Sequence, residues 1–286
     1  MELHHRPRGR SVKVIAFRVL SGGTQQKQSE CHEQWTPFQD DERFLFEEWI
    51  TPATLEDFTG KTVLECGCGG GQHTSFIAPL AASVTAVDLN TADVARQRNS
   101  RFSNVRFVED DIVTMKLGEQ FDVVICIGVI HHTDDPDRTF ESMYNHCRPG
   151  GKVIVWTYSA EGNAMVRFGV EPIRKLVLRR LRRRTLAGLS QLVTALLYLP
   201  VHSVYTLPFT RFLPYYEYFQ NFRRLSFSRH VLDVFDKLNA PQTRFTTLNK
   251  CHEWFNTGRF EPESISIRRY AGVSYSLVGV KSAASI

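Results

Sequence analysis

Between Lys61 and Tyr158, short apolar runs alternate with stretches of mixed, helix-compatible residues. Thr62–Cys66 is the first run and leads into a glycine cluster. Val84–Val87 stops at Asp88, and Val105–Val108 stops at Glu109-Asp110-Asp111. Phe121–Ile127 is almost wholly apolar, the pattern of a central parallel strand covered on both faces. Lys152–Trp156 follows Arg148-Pro149-Gly150-Gly151. Helical stretches at about 73–82, 91–101 and 136–147 separate the runs. This order predicts an α/β fold with a doubly wound, mostly parallel sheet.

The flanks read differently. Phe38, Phe44, Leu45, Phe46, Trp49 and Ile50 make 38–50 an amphipathic helix that Pro52 ends. After Tyr158 the alternation stops, and 160–240 reads as helices, basic at first and then aromatic. A further helix is expected at 246–257, and two last strands at about 262–270 and 274–281. The expected layout is a flexible arm at 1–30, an α/β domain made of 31–159 and 246–282, and a helical insertion at 160–245.

Composition narrows the class. A chain of 286 residues with 42% hydrophobic and 23% charged residues is an ordinary globular protein, neither collagenous nor disordered. Six cysteines are too dilute for a secreted disulfide framework. No secretory leader pattern opens the chain, so a cytoplasmic protein is expected. The net charge of +5 is mild but uneven: 166–235 holds 12 Lys/Arg against 3 Asp/Glu. That concentration gives the insertion a job of its own.

The glycine cluster, Gly67-Cys68-Gly69-Gly70-Gly71, sits at a strand-to-helix turn. A dinucleotide loop wants G-x-G-x-x-G, and here the last glycine is replaced by Gln72. No Lys-Ser/Thr of a phosphate-cradling loop follows either. Preceded by Glu65, the loop suits the cationic end of an amino acid better than a pyrophosphate. Asp88, ending the second strand, can accept both hydroxyls of a ribose. Asp111 can accept from an adenine amino group, with the Ile112 amide meeting a ring nitrogen. Alone, each acid reads as a helix N-cap; together, at successive strand ends, they read as a ligand site.

These stretches, with Phe121–Gly128 and Arg148–Gly151, resemble class I S-adenosylmethionine (SAM)-dependent methyltransferases. The resemblance covers about 61–157 and, more loosely, 246–282. It implies a Rossmann-like sheet of seven strands, the last antiparallel, with SAM over the glycine loop. The implied cofactor residues are Glu65, Gly67, Cys68, Gly69, Gly71, Asp88, Leu89, Asp110, Asp111, Ile112, Cys126 and Ile127. Glu65 stands where the family more often has Asp, and Asp110 is an alternative to Asp111 for adenine. A long helical insertion before the last strands, with Tyr158, Glu161, Asn163 and Tyr215-Tyr216-Glu217-Tyr218, resembles a bacterial subgroup.

The fourth strand runs into Gly128-Val129-Ile130-His131-His132. His131 and His132 are the titratable pair expected beside the reacting methyl group. The family's second histidine is commonly structural, so His131 is the candidate base and His132 the candidate prop. Tyr158, Glu161 and Asn163 follow the fifth strand and are candidate acceptor contacts, as are Tyr215, Tyr216 and Tyr218. Cys66-x-Cys68 lacks zinc spacing, so no metal is expected.

In the insertion, seven of the eleven residues 174–184 are basic, and the 26 residues 185–210 carry no charge. Pro200 limits the expected helix to 185–199, too short to span a bilayer. Three uses stay open: a lid with a solvated basic face, contact with an anionic membrane through 174–199, or nucleic-acid binding. The expected function is methyl transfer from SAM, leaving S-adenosylhomocysteine, to a small, apolar or lipid-like acceptor. A non-catalytic SAM-binding module and an RNA methyltransferase are the alternatives.

Overall fold

The computed structural model describes residues 43–178, 181–239 and 243–283. The arm expected at 1–30, the start of the first helix, and Arg179 and Arg180 of the basic run lie outside the described residues.

The elements follow the predicted rhythm. Helix α1 (Arg43–Ile50) leads through a single turn at Leu55–Phe58 to β1 (Thr62–Cys66). Then come α2 (Gln72–Ile77), β2 (Ser83–Asp88), α3 (Ala92–Arg98), β3 (Val105–Glu109) and β4 (Phe121–Ile127). They are followed by α4 (Pro136–His146) and β5 (Cys147–Tyr158). Strands β1 and β4 fall on the boundaries expected from their apolar runs. Helix α2 is shorter than expected because Pro79 has no amide to continue it. Helix α3 stops at Asn99, whose side-chain amide donates to the carbonyls of Ala95 and Gly71.

The region between β5 and the last strands is helical. It contains α5 (Glu171–Leu176), α6 (Arg183–His202), α7 (Tyr216–Phe222) and α8 (Phe227–Asn239). Helix α6 runs past Pro200, contrary to the expected break. Pro200 forfeits one amide bond, and it does so in the last turn, with only two residues of helix beyond it. Helix α9 (Leu248–Trp254) returns the chain to β6 (Ser266–Tyr270) and β7 (Ser274–Val280).

The seven strands form one sheet in the order β3-β2-β1-β4-β5-β7-β6. The first five pair in parallel, and β7 runs antiparallel to both β5 and β6. Side-chain alternation feeds two cores. Val124 and Cys126 of β4 join Phe140, Met143, Trp254 and Phe255 on one face. Val123, Ile125 and Ile127 join Phe46, Ile50, Phe58 and Ile77 on the other. The insertion has a small core of its own, where Leu178, Leu186, Ala187 and Phe235 meet between α6 and α8.

Candidate active site

Parallel pairing brings the carboxyl ends of β1 to β5 to one edge of the sheet, where ligands bind in open α/β folds. Glu65, at the end of β1, is 2% exposed. Its Oε2 accepts from Thr74 Oγ1 at 2.5 Å, while its Oε1 has no hydrogen-bond partner among the described residues. Burial pushes this carboxyl up to about 8; the Thr74 bond opposes the shift and the Asp88 charge adds to it. A buried carboxylate oxygen without a partner is costly unless a cation or donor meets it. The site therefore fits a ligand ammonium group.

The loop after Glu65 leaves room for such a ligand. Gly71 starts α2 at φ 73°, and a Cβ there would lie 2.4 Å from the Asn99 side-chain amide. Gly69, at φ 52°, would place a Cβ in open space with no atom within 4 Å. Asp88 fastens this loop: its Oδ2 accepts from the Gly69 amide at 2.9 Å and its Oδ1 from the Asn90 amide at 3.2 Å. Beside it, Leu89 is exposed. After β3, Asp110 accepts from the Asp111 amide at 2.7 Å, and Asp111 accepts from the Val113 amide at 2.9 Å. The two acids thus hold a tight turn around the buried Ile112.

Cys126 and Ile127 do not line this edge. Strand alternation packs them into opposite cores, and burial pushes the Cys126 thiol up to about 12. Cys68 is buried as well, and burial raises its thiol. Its amide and that of Gly67 both donate to the Val87 carbonyl, so Cys68 serves the loop through its backbone.

The histidines stand in the reverse of the expected order. His131 is 1% exposed and packs against His132 and Tyr158, with ring centroids 4.3 Å away in each case. Burial, with His132 beside it, holds its imidazole well below the usual histidine range, so it stays neutral. His132 is half-buried and meets Tyr158 edge to face at 6.5 Å. His131 is therefore the packed ring and His132 the more accessible of the two.

Two expected acceptor contacts are committed to the fold. Glu161 accepts from the Leu248 amide at 2.9 Å and the Tyr275 hydroxyl at 2.8 Å, which fixes the start of α9. Asn163, which is buried, donates to the carbonyls of Ser159 and Val273. Tyr216 stacks on Tyr205 at 6.3 Å within the insertion, and Tyr215 lies against the amides of Val166 and Met165. Tyr158 and Tyr218 do come together, across the Lys237 ammonium. It lies 5.9 Å from the Tyr158 ring centroid and 3.3 Å from the Tyr218 hydroxyl. Burial works against the Lys237 charge. Tyr218, Tyr158, Asp233 and Asp236 outweigh it and hold the ammonium above the usual lysine range.

Helix α8 thus covers the site with polar residues four apart: Arg229, Asp233 and Lys237. Arg229 pairs with Asp233 at 3.1 Å. The charge of Arg229 also acts on His73, a ring of α2 stacked on Phe46 at 4.9 Å. Burial first, then Arg229, push His73 down to about 4. His73, Arg229, Asp233 and Lys237 belong to no motif. The spacing of four along a helix rich in apolar positions was the available signal.

The family described as a methyltransferase domain matches residues 64–155. An uncharacterized protein of Synechococcus sp. is 31% identical over 143 residues, covering 45% of this chain and 34% of that protein. A ubiquinone biosynthesis O-methyltransferase of Pseudomonas entomophila is 33% identical over 125 residues, covering 41% of this chain and 54% of the relative. The chain thus spans a third to about half of the length of these curated relatives. Among solved structures, human N-acetylserotonin methyltransferase in complex with SAM has a TM-score of 0.51 at 15% identity, over 89% of this chain and 56% of that one. An O-methyltransferase family protein from Burkholderia thailandensis has a TM-score of 0.50 at 13% identity, over 85% and 57%. Both share the fold.

Proposed function

We propose that this chain is a class I SAM-dependent methyltransferase that methylates an oxygen of a small, largely apolar acceptor held beneath the helical insertion. The observation that carries this reading is the row of groups at the sheet edge. Glu65 Oε1, which accepts no hydrogen bond and has His73 Nδ1 4.0 Å away, suits the ammonium of SAM, Asp88 its ribose, and Asp111 with the Ile112 amide its adenine. The exposed Leu89 offers an apolar surface beside them. Bound SAM supplies an electrophilic methyl group on a sulfonium.

The chain's own part is positioning and one proton. Holding two reactants in line is worth on the order of 7–11 kcal/mol of barrier. His131, buried and neutral, sets the orientation of His132 and Tyr158 by packing against both. His132 takes the proton of an acceptor hydroxyl, a role worth roughly 10²–10⁴-fold in rate. Lys237 and Tyr218 hold a second oxygen of the acceptor from the lid side, so that the nucleophilic oxygen faces His132. Oxygen is favoured over nitrogen or carbon by the O-methyltransferase relatives. The methyltransferase-domain match, at 64–155, lies in the cofactor half of the chain and leaves the acceptor to the insertion.

The test is turnover: purified protein with methyl-labelled SAM and a cell extract, followed by S-adenosylhomocysteine release and profiling of labelled products. A labelled methyl ether or ester that is missing with His132→Ala supports the reading. SAM binding without turnover in any extract would identify a non-catalytic binding module instead.

A further inference from the structure

Helix α6 turns apolar residues outward as well as inward. An amphipathic helix of a globular protein turns leucines to the core and hydroxyls to water. Here Ser190 and Thr194 are buried, while Leu192, Leu196 and Leu199 are 56%, 67% and 75% exposed. Positions 192, 196 and 199 share one helix face, so the leucines form a continuous outward stripe. The turns that follow extend the pattern: Phe209 is 72% exposed and Phe212 81%. Several large apolar side chains exposed on neighbouring turns mark an interaction surface rather than ordinary scatter.

We propose that this face seats the protein on an anionic lipid bilayer, with α6 lying flat at the interface. Charge selects the occupant. Residues 172–216 carry eight Lys/Arg and no Asp or Glu. Of these, Lys175, Arg182, Arg184 and Arg211 are exposed among the described residues. A leucine and phenylalanine stripe with flanking cations matches the acyl boundary and headgroups of an anionic leaflet. By length and composition, Arg184–His202 could also cross a membrane. Its inner face, however, packs Leu186 and Ala187 against Leu178 and Phe235, so one side only is left for lipid. A nucleic acid would use the cations but leave the leucine stripe in water.

The experiment needs no acceptor and no turnover, so it stands apart from the proposed reaction. Full-length protein is sedimented with vesicles of phosphatidylcholine alone and of phosphatidylcholine with phosphatidylglycerol, at low and high salt. The expected result is binding to the mixed vesicles at low salt and release at high salt. Leu192→Gln, Leu196→Gln and Leu199→Gln together should weaken binding by at least about tenfold. Replacing Arg182, Arg184 and Arg211 with Gln should do the same. Both variants should keep the wild-type melting temperature and SAM affinity, because the side chains are exposed. Failure of the wild type to bind mixed vesicles at low salt overturns the proposal. So does a wild-type dimer that the leucine variant converts to a monomer, or retention of RNA in place of vesicles.

Discussion

His131 and Tyr158 pack ring against ring at 4.3 Å, joining the turn after β4 to the end of β5. The contact fixes the neighbouring His132 at the mouth of the site. His132→Ala should lower kcat by roughly 10²–10⁴-fold and leave the melting temperature near wild type. His131→Ala should instead cost about 1–3 kcal/mol of stability, with turnover falling as the loop loosens. Steady-state kinetics beside calorimetric melting separate the two. Exchanged behaviour would restore His131 as the base.

Glu65 makes cofactor binding a proton-linked event. With its carboxyl at about 8, it is mostly protonated at pH 7, and an arriving ammonium drives the proton off. SAM binding at pH 7 should therefore release up to one proton, with the release fading above pH 8. Calorimetry in buffers of different ionisation enthalpy measures this, and Glu65→Gln should abolish it. The same shift acts on the apo fold. Its contribution is present below the ordinary value of 4.5 and is lost as pH rises through about 8. Glu65→Gln should flatten that decline in melting temperature.

Asp88 holds the glycine loop, and the proposed ribose contact falls on the same carboxylate. Asp88→Ala should weaken SAM by about ten- to a hundredfold, the worth of one charge-assisted contact. It should also speed amide exchange at Gly69, whose N–H loses its acceptor. Affinity unchanged in calorimetry would remove the ribose assignment, and tight binding of NADH in place of SAM would remove the cofactor.

Lys237 should matter to the acceptor alone. Lys237→Met keeps an unbranched side chain one atom shorter and deletes the charge between Tyr158 and Tyr218. The expected result is an acceptor KM raised roughly ten- to a hundredfold with SAM affinity unchanged. An unchanged KM would place the acceptor elsewhere.

The sheet was legible because burial on both faces leaves an unbroken apolar run, as in Phe121–Ile127, and strand ends are marked where that run meets an acid or a glycine. Glu65, Asp88 and Asp111 were legible for the same reason, since each stands at such an end. The order of His131 and His132 was not, because both lie in one turn and only the packing of β5 decides which is buried. Lys237 stayed hidden because its partners Tyr158 and Tyr218 are far away in the chain. The outward leucines of α6 were read as apolar composition; which face they occupy is set by α8.

The chain leaves and rejoins the sheet at almost the same point. Ser159 bridges Thr246, Ala160 donates to the Thr246 carbonyl, and Thr246 donates to the Tyr158 carbonyl. Two residues away, the Arg244 amide donates to the His131 carbonyl at 2.8 Å. A segment whose ends meet this closely is a cassette: the strands on either side stay in place whatever its length. In a lineage built on this fold, the helices between Ala160 and Arg244 can be traded whole while the sheet is inherited unaltered. The splice sits on the histidine turn itself, so each new cassette is delivered in register with His131 and His132.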